Sequence, residues 1–237
     1  MGPSVASIDK ILERFDYRYR GKKLLNLAIS FVILVAAISS IAFILAYDQE
    51  GILVFRWLTV DGTLFTAAMT AFYVVANIIE LRWNTEFSRN SVYYARLAAA
   101  VAECIIMLVV LISQLPFFTE HMHILRYDMF CMHILIPVLT VGSFVLNDTP
   151  LGRIGVRDQL MGTLFVTVYA FVMAGLITSG VVTQEHIPYF FLDFQNTGVV
   201  VCVGCFLVIY AMSFLLASGL AALNRHMYWR WFRDLTQ

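Results

Sequence analysis

Apolar runs of about 20 residues recur six times along this 237-residue chain, and they constrain its fold more than any other feature. A helix needs roughly 20 apolar residues to cross the hydrocarbon core of a bilayer. Charged residues make up only 14% of the chain, whereas about a quarter of a soluble domain is charged. The sequence predicts an all-α, polytopic membrane protein, a six-transmembrane-helix bundle. The predicted spans are 24–47, 55–79, 97–117, 129–146, 160–182 and 199–223.

Positive charges flank these spans unevenly. Fourteen of the sixteen Lys and Arg residues fall at one end of the predicted spans, counting Arg96 in the loop before the third span, and only Arg56 and Arg126 fall at the other. Short loops rich in Lys and Arg stay in the cytoplasm. We therefore expect both termini to be cytoplasmic. The predicted organisation is a cytoplasmic amphipathic segment at 1–23, the transmembrane domain at 24–223 and a cytoplasmic aromatic and basic tail at 224–237.

A polar stripe runs along the second predicted span. At about 100° per residue, its members fall within roughly 40° of one line on the helix. A polar stripe is costly against lipid, so it should face the interior of the bundle. Thr in membrane helices commonly bonds the preceding turn or a neighbouring helix, and this structural interpretation stays open for each hydroxyl. The stripe comprises Thr59, Thr63, Thr66, Thr70, Tyr73 and Asn77.

His133 lies on one face of the fourth predicted span with Pro137 and Thr140. An ionisable residue inside a span is a functional candidate, although a histidine bonded to a neighbouring helix is the structural alternative. Pro137 lacks the N–H that would bond the His133 carbonyl, so we expect the helix to bend there. Counting ~1.5 Å of rise per residue places His133 and Thr59 both about 6 Å below the outer boundary. The two side chains can therefore be neighbours.

Other polar residues give weaker signals. His121 and His123 lack a matching ligand set on a helix, so no metal site is predicted. Glu103, in the third predicted span, is expected to have a structural partner. The CVGC sequence at Cys202 and Cys205 allows either redox chemistry or ordinary packing, and a helix interior favours packing. A formal net charge of zero argues against nucleic acid as a partner, and the absence of Walker or dinucleotide motifs predicts no cofactor.

Two segments, FRWLTVDGTLF and HILIPVLTVGSFVL, resemble the membrane family that contains the androgen-induced and androgen-dependent proteins and their bacterial relatives. The resemblance implies an intramembrane threonine hydrolase that cleaves fatty acid esters of hydroxy fatty acids. It places the nucleophile at Thr59 in WLTVD and the essential histidine at His133 in MHILIP. Two features depart from the family: the acidic residue after the threonine, Asp61, is closer, and the proline after the histidine is shifted by one. A bacterial cell membrane is the location that this resemblance suggests.

The predicted function is therefore hydrolysis of a lipid ester near the outer leaflet, with Thr59 as nucleophile and His133 as base. The predicted partner is a membrane lipid or fatty acid ester. The alternative is a non-enzymatic lipid-binding scaffold or a small transporter that uses the polar stripe. The residues expected to contact substrate are Arg56, Trp57, Asp61, Thr63, Thr66, Pro137 and Thr140.

Overall fold

The computed structural model describes residues 5–48, 51–83, 89–114, 125–151 and 155–236, with side chains at 19–48, 51–83, 90–111, 125–151 and 155–233. These residues form helices and short turns and contain no strand. The helices are α1 (Val5–Tyr47), α2 (Leu58–Trp83), α3 (Arg89–Leu108, continued by a π-helical turn Val109–Gln114), α4 (Tyr127–Asn147, with a π-helical turn Cys131–Leu135), α5 (Val156–Gly162), α6 (Leu164–Thr178) and α7 (Val199–Thr236). Short 3-10 turns lie at Gly51–Arg56, Gln184–His186 and Phe190–Leu192.

The length and composition of these helices define the class of protein. Within the described residues, α1, α2, α3, α4 and α7 each contain a stretch long and apolar enough to cross a membrane. Helices α5 and α6 pass the same test together but meet at an angle of 53°. The bend falls at Thr163, whose amide and hydroxyl both donate to the carbonyl of Leu160 and so tighten the turn. The chain is an all-helical, multi-pass membrane protein.

The first and last helices run further than the predicted spans. Helix α1 is continuous over 43 residues. The boundary predicted at residue 24, between the cytoplasmic segment and the first span, is therefore not a break in the helix. Helix α7 likewise runs through residue 224 to Thr236 without interruption. A helix of 43 residues is roughly 65 Å long, about twice the thickness of a bilayer core. Both terminal segments therefore continue a span as helix.

Helix α3 occupies the centre of the bundle and packs against α2, α4, α5, α6 and α7. Its segment Ala98–Ala102 is almost fully buried, because small side chains allow neighbouring helices to approach closely. Gly62 of α2 also lies close to α3, because a Cβ at this position would overlap Ile106 Cδ1. Gly162 of α5 likewise allows α7 to approach closely, since a Cβ at this position would lie 2.6 Å from Ala217 Cβ.

Arg96 corrects the predicted boundary of the third span. It was expected in a loop, but it lies inside α3 and only 1% of it is exposed. Its Nε donates to Asp148 Oδ2 at 3.0 Å and its Nη2 to Ser143 Oγ at 2.6 Å. Asn26 Nδ2 also donates to Asp148, at 2.7 Å. These partners compensate the charge of the buried guanidinium. Hydropathy alone places Arg96 at the membrane boundary.

Candidate active site

The polar stripe of α2 faces the interior, as predicted. Its five members below the first turn, Thr63, Thr66, Thr70, Tyr73 and Asn77, are all buried, and Thr59 is half-buried. The hydroxyl oxygens of Thr63, Thr66 and Thr70 have no hydrogen-bond partner among the described residues. None of these three threonines therefore bonds the preceding turn, whereas Thr66 interacts with Glu103 of the neighbouring α3.

The first turn of α2 presents free backbone donors beside Thr59. The first hydrogen bond of the helix runs from Asp61 N to Trp57 O, and the N–H of Leu58 donates to the Tyr189 hydroxyl at 3.2 Å. The N–H groups of Thr59 and Val60 form no hydrogen bond in the part of the chain that the structure describes. The first N–H groups of a helix are available to bind negative charge. The Thr59 hydroxyl therefore lies where an anion can be stabilised.

His133 is buried in α4, with 5% of its surface exposed. Its Nδ1 lies 2.9 Å from the carbonyl oxygen of Met129, one turn earlier in the same helix. A carbonyl oxygen only accepts hydrogen bonds, so Nδ1 carries the hydrogen. In the neutral ring this leaves a lone pair on Nε2, which makes no hydrogen bond with the described residues. The imidazole therefore has the tautomer that a general base requires.

A π-helical turn at Cys131–Leu135 surrounds His133. The Ile136 N–H donates to the carbonyl of Cys131, five residues back, and Pro137 has no N–H to donate. The Met132 carbonyl therefore accepts no hydrogen bond from Ile136, its donor in an α-helix, or from Pro137, its donor in a π-helix. A bend was expected at Pro137; the structure instead has a widened turn before it, of the kind often found at functional sites.

Contacts between the neighbours of Thr59 and His133 join α2 to α4. Val60 and Met132 belong to one buried cluster with Ile44 and Val54. Thr59 is the second residue of α2 and His133 the seventh of α4, so counting helical rise from the starts of the two helices does not place them at the same depth. This cluster and a second one that contains Ala67, Cys131 and Ile136 pack the first three turns of α2 against the turn that carries His133. No hydrogen bond joins Thr59 to His133 within the described residues.

The segment between α6 and α7 covers the start of α2, and sequence analysis missed its contribution. The Tyr189 ring meets Trp57 edge-on with centroids 5.9 Å apart and stacks on Phe191 at 5.2 Å. Burial raises the pKa of the Tyr189 phenol, so its hydroxyl keeps its proton. From α6, the Tyr169 hydroxyl donates to the Arg56 carbonyl at 2.8 Å. The aromatic run IPYFFLDF between two spans was the available signal.

The other predicted substrate contacts lie at the start of α2 and along α4. The Arg56 guanidinium lies 5.1 Å from the centre of the Trp57 ring, and both residues are half-buried. Asp61 is half-buried on α2, while Pro137 and Thr140 are buried on α4. The Thr140 hydroxyl has no hydrogen-bond partner among the described residues.

Glu103 and the cysteines complete the account of the interior. Glu103 was expected to have a structural partner. Thr66 of α2 interacts with its carboxyl group, although neither carboxyl oxygen reaches the geometry of a full hydrogen bond within the described chain. Cys202 and Cys205 are both free thiols, buried and half-buried respectively. The described residues contain no group of three or more His, Cys, Asp or Glu side chains that could hold a metal ion. His121 and His123 lie outside the described residues.

Comparison of the chain with known protein families, with curated proteins and with solved structures finds no match in any of the three.

Proposed function

We propose that the protein is an intramembrane hydrolase that cleaves fatty acid esters, with Thr59 as nucleophile and His133 as general base. The observation that carries the proposal is the hydrogen bond from His133 Nδ1 to the Met129 carbonyl. It fixes the ring and leaves Nε2 as the basic nitrogen, as a base that activates a hydroxyl requires. The resemblance of WLTVD and MHILIP to intramembrane threonine hydrolases supports the same pair.

In the proposed reaction, His133 Nε2 takes the proton of Thr59 as the threonine oxygen attacks the ester carbonyl. The alcohol leaves with the proton from His133, and the acyl group remains on Thr59. Water then attacks the acyl-threonine, with His133 again accepting the proton. His133 returns this proton to the Thr59 oxygen as the fatty acid is released. Atoms and charge balance over the two steps, and no cofactor takes part.

Developing negative charge on the ester oxygen requires donors that the ground state does not use. The N–H groups of Thr59 and Val60 at the start of α2 supply two. The Tyr189 hydroxyl supplies a third, since it accepts from Leu58 N and keeps its own proton for donation. These three donors can form an oxyanion site. Backbone N–H groups deeper in a helix cannot, because they already bond carbonyls of the preceding turn.

Labelling with a fluorophosphonate, which reacts with activated hydroxyl nucleophiles, tests the assignment. We expect the purified protein to be labelled once per chain, and Thr59→Ala to abolish the labelling. Thr63→Ala is the matched control, because Thr63 is one turn further along the same stripe and is fully buried. Equal labelling of the two variants, or none of the parent protein, would exclude Thr59 as nucleophile.

A lipid-binding scaffold or small transporter is the second candidate. The unbonded hydroxyls of Thr63, Thr66 and Thr70 favour it, because they offer polar contacts along much of α2. The two functions differ in the fate of a fluorescent fatty acid ester added to the protein in nanodiscs. A hydrolase releases the acid, whereas a scaffold or transporter returns the ester intact.

The proposed arrangement in the membrane has six spans, with α5 and α6 forming one bent span, and both termini in the cytoplasm of a bacterial cell. The concentration of Lys and Arg at one end of the spans supports this orientation. Reporter fusions at residues 1 and 237 test it. Cytoplasmic reporter activity from both fusions is expected, and opposite locations would refute an even number of spans.

A further inference from the structure

Glu103 lies in the interior of the bundle and has no role in the proposed hydrolysis. Its side chain is fully buried in the middle of α3, and neither carboxyl oxygen forms a hydrogen bond with the described residues. A buried carboxylate without a partner carries a large desolvation cost, and in a membrane such a residue marks a functional site by default. Such a group either keeps its proton or is neutralised by a bound cation.

Arg96 does not compensate Glu103, although both are buried in α3. The two residues are seven positions apart on one face of the helix, or about 10.5 Å along its axis. The Arg96 guanidinium is held by Asp148 and Ser143 at the far end of that distance. The charge of Glu103 is therefore not neutralised by this arginine.

The groups that face Glu103 are hydroxyls of α2. Thr66 lies beside the carboxyl and interacts with it, but without the geometry of a full hydrogen bond. Thr63 and Thr70 lie one turn to either side of Thr66 on the same stripe, a spacing that places side chains about 5–6 Å apart. All three threonines are fully buried, and their oxygens are without a hydrogen bond in the described chain.

Other hydroxyls of this bundle behave differently. Ser40, Thr167 and Ser213 donate to the carbonyl four residues earlier in their own helices, at 2.7–3.0 Å. This is the usual solution for a hydroxyl in a membrane helix. The stripe hydroxyls of α2 do not adopt it, so their oxygen lone pairs remain available next to the one buried carboxylate of α3.

We propose that Glu103 and Thr66 form the centre of an intramembrane binding site for a sodium ion, with the hydroxyl of either Thr63 or Thr70, one turn from Thr66, as a further ligand. Carboxylate and hydroxyl oxygens are the ligands that hard cations prefer. One carboxylate neutralises one positive charge, so a monovalent ion leaves the buried site neutral, whereas a divalent ion leaves an excess. Bound sodium joins α2 to α3 and offsets the desolvation of Glu103.

Thermal unfolding of the purified protein in detergent tests the site. The melting temperature is measured in sodium chloride and in choline chloride at the same ionic strength. A rise of roughly 5–10 °C is expected when sodium reaches about 100 times its Kd, because a ligand of the folded state stabilises that state. Binding of radioactive sodium by equilibrium dialysis should reach one ion per chain.

Glu103→Gln keeps the size of the side chain and removes its charge, so both the sodium-dependent rise and the bound ion should disappear. Glu80→Gln is the matched control, since it removes a glutamate of α2 that pairs with Lys23. If Glu103→Gln fails to fold, Thr66→Val should weaken sodium binding at least tenfold. The proposal is overturned if the parent protein binds no sodium, or if folded Glu103→Gln binds it as the parent does.

Discussion

Arg96 and Asp148 form an ion pair inside the bundle, with Nε 3.0 Å from Oδ2 and side chains only 1% and 7% exposed. The guanidinium also lies over the ring of Tyr73, 4.5 Å from its centre. Asp148 directly follows α4, and its carbonyl accepts a hydrogen bond from Asn224 of α7 at 2.8 Å. The pair therefore connects α3 to the end of α4, which α7 also holds.

Arg96→Met should destabilise the protein by about 3–5 kcal/mol, because it leaves the Asp148 carboxylate buried without its cation. Arg96→Met combined with Asp148→Asn should recover part of this loss, since no uncompensated charge then remains. Unfolding by denaturant in detergent micelles measures both. Lys23→Met is the control: it removes the partly exposed pair with Glu80, for which about 1 kcal/mol or less is expected. An equal decrease in the free energy of unfolding for Arg96→Met and Lys23→Met would show that burial does not increase the contribution of the Arg96 ion pair.

Gly162→Ala should lower stability by about 1–3 kcal/mol, because the added methyl group overlaps Ala217 of α7. Gly142→Ala provides the comparison, since a Cβ at that position meets no atom within 4 Å. Alanine at 142 should be neutral or slightly stabilising, as expected from helix propensity alone. Unfolding by denaturant in detergent micelles measures both variants. If neither changes the free energy of unfolding, α5 and α7 do not pack this closely.

The helical spans and the inward face of α2 could be predicted from the sequence because each depends on local periodicity. Runs of apolar residues identify membrane helices, and 100° per residue places Thr63, Thr66 and Thr70 on one face. Neither inference requires knowledge of what lies opposite. The buried polar face of α2 follows directly from this rule, as the structure shows.

The partners across the bundle could not be predicted in the same way. Hydropathy assigns Arg96 to a loop because it considers only residues close in sequence, whereas the ion-pair partner Asp148 is 52 residues away. Tyr189 reaches Leu58 only because the segment between α6 and α7 folds over α2. Such contacts are tertiary and leave no periodic signal.

Tyr189→Phe should slow the reaction with fluorophosphonate about 10²–10³-fold, the usual effect of removing one donor to an oxyanion. The ring and its contacts with Trp57 and Phe191 remain, so stability should change little. Tyr210→Phe is the control, because it removes a hydroxyl that bonds Thr163 rather than α2. An unchanged rate for Tyr189→Phe would remove the phenol from the proposed oxyanion site while leaving the nucleophile untouched.

His133→Asn should slow labelling of Thr59 by about 10²–10⁴-fold, the range associated with loss of a general base. The asparagine amide can still donate to the Met129 carbonyl from the position of Nδ1, so the helix should keep its π turn and its stability. His133→Gln loses that local bond as well as the base, and should be both inactive and less stable. His186→Asn changes an exposed loop histidine that bonds Thr183, and should label at the parent rate. A His133→Asn variant that is labelled normally would show that the imidazole holds α4 together but does not activate Thr59.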